Sequence, residues 1–289
     1  DVEVKTLSLG DEPALEAFLA PLAASSMFLR ANARAAGLVD RGGPLQGTYV
    51  AAYDHAVMTG VAAHYWNGMV VLQAPDLRTL EVIARAAVAR SGRKLAGFVG
   101  PRSQVEEARR TLKLDERKTA LDSRERLYEL DLDELKIPRD LATGRIACRH
   151  PRKDELDLLT RWRIDYSIDT LGVSEGPELA ASCRAEVARL DDEGSQWVGD
   201  DGGGPVSYSA FNARLPDVVQ VGGVWTPPEL RGRGYGRAVV AGSLVDAGSQ
   251  GVRRAVLFTD EKNRAARAAY EALGFRVVGD YALVIFAPA

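Results

Sequence analysis

The sequence predicts an α/β (α+β) protein of two similar domains, each a mixed, mostly antiparallel central sheet flanked by helices. Three observations lead there. A chain of 289 residues exceeds the usual single domain of about 100–150 residues. Short alternating or apolar runs, which read as strands, interleave with longer stretches whose apolar residues recur at helical spacing. The order strand, two helices, strand meander, helix, strand, helix, strand also occurs twice, as an internal duplication would give.

In the first pass, alternating Val2–Leu7 precedes a helix from Pro13 to Leu22, and a second helix carries Met27, Phe28, Ala31 and Ala35 after Ser25-Ser26. Strands at Gly47–Tyr53, Val57–Tyr65 and Met69–Gln73 are separated by the turns Asp54-His55 and Trp66-Asn67-Gly68, polar and glycine-bearing as turns require. Leu80, Val82, Ile83, Ala86 and Ala87 form an apolar stripe on a helix over Leu77–Arg90. Leu95–Val99 is a strand, Ser103–Leu112 a helix and Arg126–Leu132 a strand.

The charged, proline-containing run Asp133–Asp140 reads as a connector. Beyond it come strand Ile146–His150 and helices Lys153–Ser167 and Pro177–Leu190. Strands follow at Gln196–Gly199, Val206–Phe211 and Val218–Thr226, then helix Gly234–Ala247, strand Ala255–Thr259 and helix Asn263–Leu273. A strand pair, Phe275–Val278 and Tyr281–Phe286, closes the chain. Local echoes support the duplication: Val71-Leu72-Gln73-Ala74-Pro75-Asp76 parallels Val224-Trp225-Thr226-Pro227-Pro228-Glu229, each ending a strand before a long helix.

Composition narrows the function. A net charge of -3 argues against a nucleic-acid protein, which is usually basic; the same mild acidity favours small or cationic partners. Cys148 and Cys183 make neither a disulfide framework nor a ligand pattern, and His55, His64 and His150 lie far apart, so no metal is expected. No apolar run approaches the roughly 20 residues of a membrane span, and the N-terminus lacks an apolar signal-peptide core. A cytoplasmic location is the expectation; the oligomeric state is open.

The most informative segment is Val224-Trp225-Thr226-Pro227-Pro228-Glu229-Leu230-Arg231-Gly232-Arg233-Gly234-Tyr235-Gly236-Arg237. A strand ends at two prolines and a glycine-rich turn opens a helix. Such a turn presents consecutive backbone N–H groups at the positive helix end, which suits a phosphate, and Arg231 and Arg233 add charge. Its spacing is neither that of a Walker loop nor that of a dinucleotide fold. Further on, Asn263 and Tyr270 stand about two turns apart on one helix face. Asp260 or Asn263 can cap that helix and Gly274 can end it. By itself Tyr270 reads first as a core residue.

Arg231-x-x-Gly234-x-Gly236 after a strand, followed by Asn263 through Tyr270 and Gly274-Phe275, resembles the paired signatures of the GNAT superfamily of acyl-CoA N-acyltransferases. The resemblance covers the second half of the chain. It implies a catalytic domain at 142–289, a linker at 133–141 and a degenerate GNAT-like domain at 1–132. That tandem layout is similar to the mycothiol synthases, a family of paired acyltransferase domains with one working half. It also implies acetyl-CoA as cosubstrate and an amine as acceptor, on a small molecule or a protein N-terminus. The donor would lie where Val218–Thr226 and Ala255–Thr259 splay apart, and Gly222-Gly223 fits the distortion needed.

On that resemblance, the Val224 N–H polarises the thioester carbonyl and steadies the oxyanion of a tetrahedral intermediate. The Thr226 backbone holds the pantetheine arm, and the N–H groups of Arg231, Gly232, Arg233, Gly234, Tyr235 and Gly236 hold the pyrophosphate. Asn263 belongs to the donor site, and Tyr270 protonates the departing thiolate. The general base stays open among a water chain, Tyr208, Asp165, Asp169 and Glu175, since Val218–Thr226 carries no acid. The first half lacks the glycine turn and the Asn–Tyr pair, so no CoA binding is expected there. Its role is either structural or to wall the acceptor pocket with Phe28, Arg30, His64, Tyr65 and Trp66. A non-catalytic acyl-CoA-sensing module is the rival to an enzyme.

Overall fold

The chain leaves its first unit inside one strand and returns to it inside its last. The computed structural model describes residues 1–289, and contacts group Asp1–Leu127 with Gly279–Ala289, leaving Tyr128–Val278 as a second unit. Elements of the first stretch are β1 (Val2–Thr6), α1 (Glu12–Leu19), α2 (Met27–Ala36), β2 (Gly47–Asp54), β3 (Val57–Tyr65), β4 (Met69–Gln73), α3 (Leu80–Ser91), β5 (Gly97–Pro101), α4 (Arg102–Thr111) and β6 (Thr119–Asp131). Those after it are α5 (Arg139–Ala142), β7 (Ala147–Arg149), α6 (Leu156–Leu171), α7 (Pro177–Glu193), β8 (Gln196–Asp200), β9 (Pro205–Arg214), β10 (Val218–Trp225), α8 (Tyr235–Ser249), β11 (Arg254–Asp260), α9 (Arg264–Leu273) and β12 (Arg276–Phe286). No helix is long and apolar enough to cross a membrane.

In the first unit the strands run β1-β2-β3-β4-β5-β12, antiparallel except for the parallel pair β4–β5. Leu80, Ile83, Ala84 and Ala87 of α3 form the i, i+3, i+4, i+7 stripe of an amphipathic helix. They pack on Val50, Ala62, Val70 and Leu72 of the sheet. Apolar positions written for a helix thus meet apolar positions alternating on strands, and the burial drives the layer together.

The second unit repeats the plan with order β6-β11-β10-β9-β8-β7. Strands β7 to β10 are antiparallel and β10–β11 parallel. Val239, Val240 and Leu244 of α8 cover one face with Phe211, Val219 and Val221. Leu159 and Trp162 of α6 and Val187 and Leu190 of α7 cover the other with Val198, Tyr208 and Trp225.

Three features differ from the reading of the sequence. The closing strand pair is one strand, β12, and β6 begins at Thr119 rather than Arg126. The connector does not hang free: Leu132, Leu135 and Leu141 pack on the second core, and the Lys136 N–H donates to the Leu273 carbonyl at 2.9 Å. By contacts the chain divides at Leu127/Tyr128 and Val278/Gly279. The physical reason is strand pairing. Tyr281–Ile285 run antiparallel to Gly97–Pro101, and Ala282, Val284 and Phe286 enter the first core, so the last segment of sequence completes the first unit.

One ion pair fastens the segment between α2 and β2. The Asp40 carboxylate accepts from Arg93 Nη1 and Nη2 at 2.7 and 2.9 Å, from Thr48 Oγ1 at 2.8 Å and from the Gly42 N–H at 2.9 Å. The Arg93 guanidinium holds the Asp40 carboxyl down at about 2, well below its ordinary 3.8. Because the folded value lies below the unfolded one, the stabilisation is complete above about pH 4 and is lost as pH falls toward 2. Its ceiling is about 2 kcal/mol. Asp40→Asn is therefore expected to lower the melting temperature near pH 7 and to match the wild type near pH 2. An equal deficit at both pH values would show that the pair's charge contributes nothing.

Candidate functional site

Strand β10 changes face part-way along. Val219, Val221 and Val224 all join the core under α8, whereas Trp225 joins the core under α6 and α7. In a regular strand residues 221 and 224 would point to opposite faces; one inserted residue brings them to the same side. The antiparallel register with β9 slips between Gly222 and Trp225, and Gly223 has φ +66°, a left-handed value that glycine reaches without a Cβ clash. At Gly222 a Cβ would stand 2.1 Å from Asn212 Nδ2. Glycine is favoured at both positions.

The parallel pairing of β10 with β11 stops at Gln220↔Val256. Beyond it the two strands continue to Trp225 and Asp260 unpaired with each other. This leaves a cleft whose one wall is the bulge at Gly222–Val224, as the splay expected from the sequence requires.

At the end of β10 the turn runs through Gly232 and Gly234, both with φ +79°. A Cβ at Gly232 would meet nothing within 4 Å, so the turn is open on that side. Gly234 is the N-cap of α8 and offers no side-chain acceptor. The first N–H groups of any helix lack an intrahelical partner, and here they stay available to an outside anion. Arg231 and Arg233 fold back instead of reaching outward. Arg231 Nε donates to the Thr226 carbonyl at 2.9 Å and its guanidinium covers the Trp225 ring at 4.8 Å. Arg233 Nη2 donates to the Glu229 carbonyl at 3.4 Å. The Tyr235 side chain is buried against Ile146, Val206 and Ala238, leaving its backbone to the turn. Thr226 Oγ1 lies 3.4 Å from where a Cβ on Gly236 would stand, which seats the first turn of α8 on the strand end.

Asn263 caps α9, its Oδ1 accepting from the Ala266 N–H at 3.1 Å, so that side chain is committed to the helix. The half-buried ring of Tyr270 packs edge-on to Phe275, centroids 6.0 Å apart, on the same core as Val224. Its hydroxyl makes no hydrogen bond within the protein. Burial raises its pKa well above the ordinary 10, and the neighbouring Tyr166 adds to the rise.

The candidate bases fare differently. Asp165 and Glu175 both pair with Arg161 at 2.7 and 2.9 Å. Asp169 is exposed, 3.9 Å from Arg231 Nη2. Buried Tyr208 donates to Gln196 Oε1 at 2.8 Å, and burial pushes its phenol up to about 12 despite the nearby Arg163, so it stays protonated near neutrality and has no phenolate to act as a base. Arg163, on α6, went unnoticed in the sequence: it reads as one more surface charge. In the folded chain its guanidinium stands over the bulge, Nη1 2.8 Å from the Cβ position of Gly223.

The corresponding place in the first unit is filled by the chain itself. The β4–β5 pairing stops at Val71↔Val99, and Gln104 Oε1 accepts from the Ala74 N–H at 2.7 Å. Gln104 Nε2 donates to Gln73 Oε1, and Gln73 Nε2 donates to the hydroxyls of Ser25 and Ser26. Where the second unit has an open glycine turn, Asp76 caps the helical turn that follows, accepting from the Arg78 N–H at 3.1 Å. Of the wall candidates, Tyr65 and His64 are buried. His64 meets Ser91 Oγ and the Gly68 carbonyl, and Arg30 pairs with Glu16.

Residues 157–275 match the Acetyltransferase (GNAT) family, a span that holds the bulge, the glycine turn and Tyr270. It is this segment, less than half of the chain, that carries the match to the family, whose members are acyltransferases with acyl-CoA as the usual donor. No curated protein matches the chain in sequence. Among solved structures, a GCN5-related N-acetyltransferase from Sphaerobacter thermophilus is 16% identical over 100% of this chain and 97% of its own, with TM-score 0.58. A tandem GNAT protein from the clavulanic acid biosynthesis pathway is 14% identical over the full length of both chains, with TM-score 0.56. A Drosophila protein of 11% identity covers 99% of this chain and 98% of its own at TM-score 0.68. At such identities the likeness is one of fold, and it extends the tandem layout over the whole chain.

Proposed function

We propose that the second unit is an acetyl-CoA-dependent N-acetyltransferase acting on a primary amine of a small molecule or a protein N-terminus. The observation that carries this reading is the bulge at Gly222-Gly223 on the same strand whose end feeds the open glycine turn. One feature frees backbone beside a reacting carbonyl; the other offers helix-end N–H groups to a pyrophosphate. When bound, acetyl-CoA supplies an acyl carbon already activated as a thioester. The Val224 N–H then serves as the oxyanion donor, the Thr226 backbone as a support for the pantetheine arm and residues 231–236 as the phosphate cradle. Tyr270 keeps its proton through neutral pH and delivers it to the thiolate. Asn263 contributes by capping α9 and so fixing Tyr270. Both cysteines are free thiols, which suits a reducing, cytoplasmic setting.

The self-filled cleft of the first unit supports reading residues 1–127 as a degenerate copy without donor chemistry. Isothermal titration with acetyl-CoA is expected to give about one site per chain. Two sites would overturn the silent first unit, and no binding would overturn the acyltransferase reading. The absence of a carboxylate on β10 keeps one second reading in view, a non-catalytic acyl-CoA sensor. Release of free CoA thiol together with an acetylated amine would reject it.

A further inference from the structure

The donor site leaves one charged group over the bulge unexplained. The Arg163 side chain is 17% exposed, and its Nη1 lies 2.8 Å, its Cζ 3.7 Å, from the Cβ position of Gly223, one residue from Val224. A guanidinium presents its donors in a planar fork that matches a carboxylate. Here that fork bonds the Tyr208 side chain but has no hydrogen-bonded carboxylate. Glu186 Oε1 approaches Arg163 Nη2 only to 3.8 Å. Both Glu186 oxygens are instead taken by Arg189, at 2.6 and 3.2 Å, which also holds the more exposed Glu193. On the same face the Trp225 indole N–H is buried without an acceptor. This face is rich in donors and short of acceptors, the reverse of what a cationic substrate would select.

We propose that the acceptor is an amino acid-type molecule whose carboxylate is bound by Arg163 while its amine stands at Val224. The proposal rests on the N-acetyltransferase reading and names its substrate class. Arg163 Nη1 stands beside Gly223, the residue before Val224, so one short molecule carries both the amine and the carboxylate. That describes α- and β-amino acids and excludes long polyamines. It also departs from the cationic preference suggested by the net charge: the local field at the bulge outweighs the average over the surface.

The test compares α- and β-amino acids with the amines left when the carboxylate is removed, with binding to the protein–CoA complex and acetyl transfer measured separately. Wild type is expected to bind and turn over the carboxylated member about 10–100-fold better, the range of a charge-assisted hydrogen-bonded pair. Arg163→Met should erase that preference and Arg163→Lys restore part of it, with acetyl-CoA binding unchanged in both. Equal handling of the two members by wild type, or an unchanged preference in Arg163→Met, overturns the role of Arg163. Should the variants fail to fold, the wild-type comparison decides alone. Binding of carboxylates that depends on Arg163 but never leads to transfer would keep this site and reject the acetyltransferase reading.

Discussion

Titrated with acetyl-CoA, Gly234→Glu is expected to show at least about 100-fold weaker binding than the wild type while keeping a cooperative thermal transition. The substitution places a carboxylate at the N-cap of α8, where the open N–H groups face outward. A carboxylate there satisfies those donors from within, as Asp76 does at the corresponding turn of the first unit. It also repels an arriving pyrophosphate: two unit charges about 4 Å apart near a protein surface interact by about 4 kcal/mol, more than enough for a hundredfold loss. Two smaller effects need separating. At φ +79° a Cβ adds strain of about 1 kcal/mol. Arg237 Nη2, 3.6 Å from the Cβ position, can draw part of the new charge away. Gly234→Ala carries the strain without the charge, so it should bind within a few-fold of wild type. Binding by Gly234→Glu at wild-type strength would place the pyrophosphate elsewhere and remove the glycine turn from the site.

Much of this arrangement is legible in the sequence because it is written locally. The prolines after Thr226, the glycines at 232, 234 and 236 and the helical stripe that follows are neighbours in the chain, and each constrains backbone angles directly. The double glycine at 222 and 223 likewise announces a bulge, since a Cβ at 222 would press on Asn212 and the left-handed φ at 223 favours glycine. What stayed hidden depends on partners far along the chain. Tyr281–Ile285 pair with β5, a return across most of the sequence that alternation cannot reveal. Gln104 closes the first cleft through bonds to residues 30 or more positions away, yet in sequence it is one polar residue in an amphipathic helix. Arg163 and Arg161 look alike as charges on α6, and only packing separates them: Arg161 pairs at the surface with Asp165 and Glu175, whereas Arg163 turns inward over Gly223.

Tyr270→Phe is expected to lower kcat by about 100-fold or more, the usual range for losing a positioned proton donor, with acetyl-CoA affinity within about a factor of two of wild type. The phenylalanine ring keeps the edge contact with Phe275 and fills the same volume, so packing survives and only the hydroxyl goes. That hydroxyl has no partner within the protein, and burial raises its pKa above the ordinary phenol value. The sign of the pH dependence follows. A general acid works in its protonated form, and a raised pKa moves its loss to higher pH. No decline of kcat attributable to Tyr270 should therefore occur up to about pH 10, where an ordinary phenol would be half ionised. A variant as active as wild type would leave Tyr270 a core residue. Should activity fall with the donor no longer bound, the ring would be holding the cleft open. A kcat loss at unchanged donor affinity is the result that assigns the proton to this phenol.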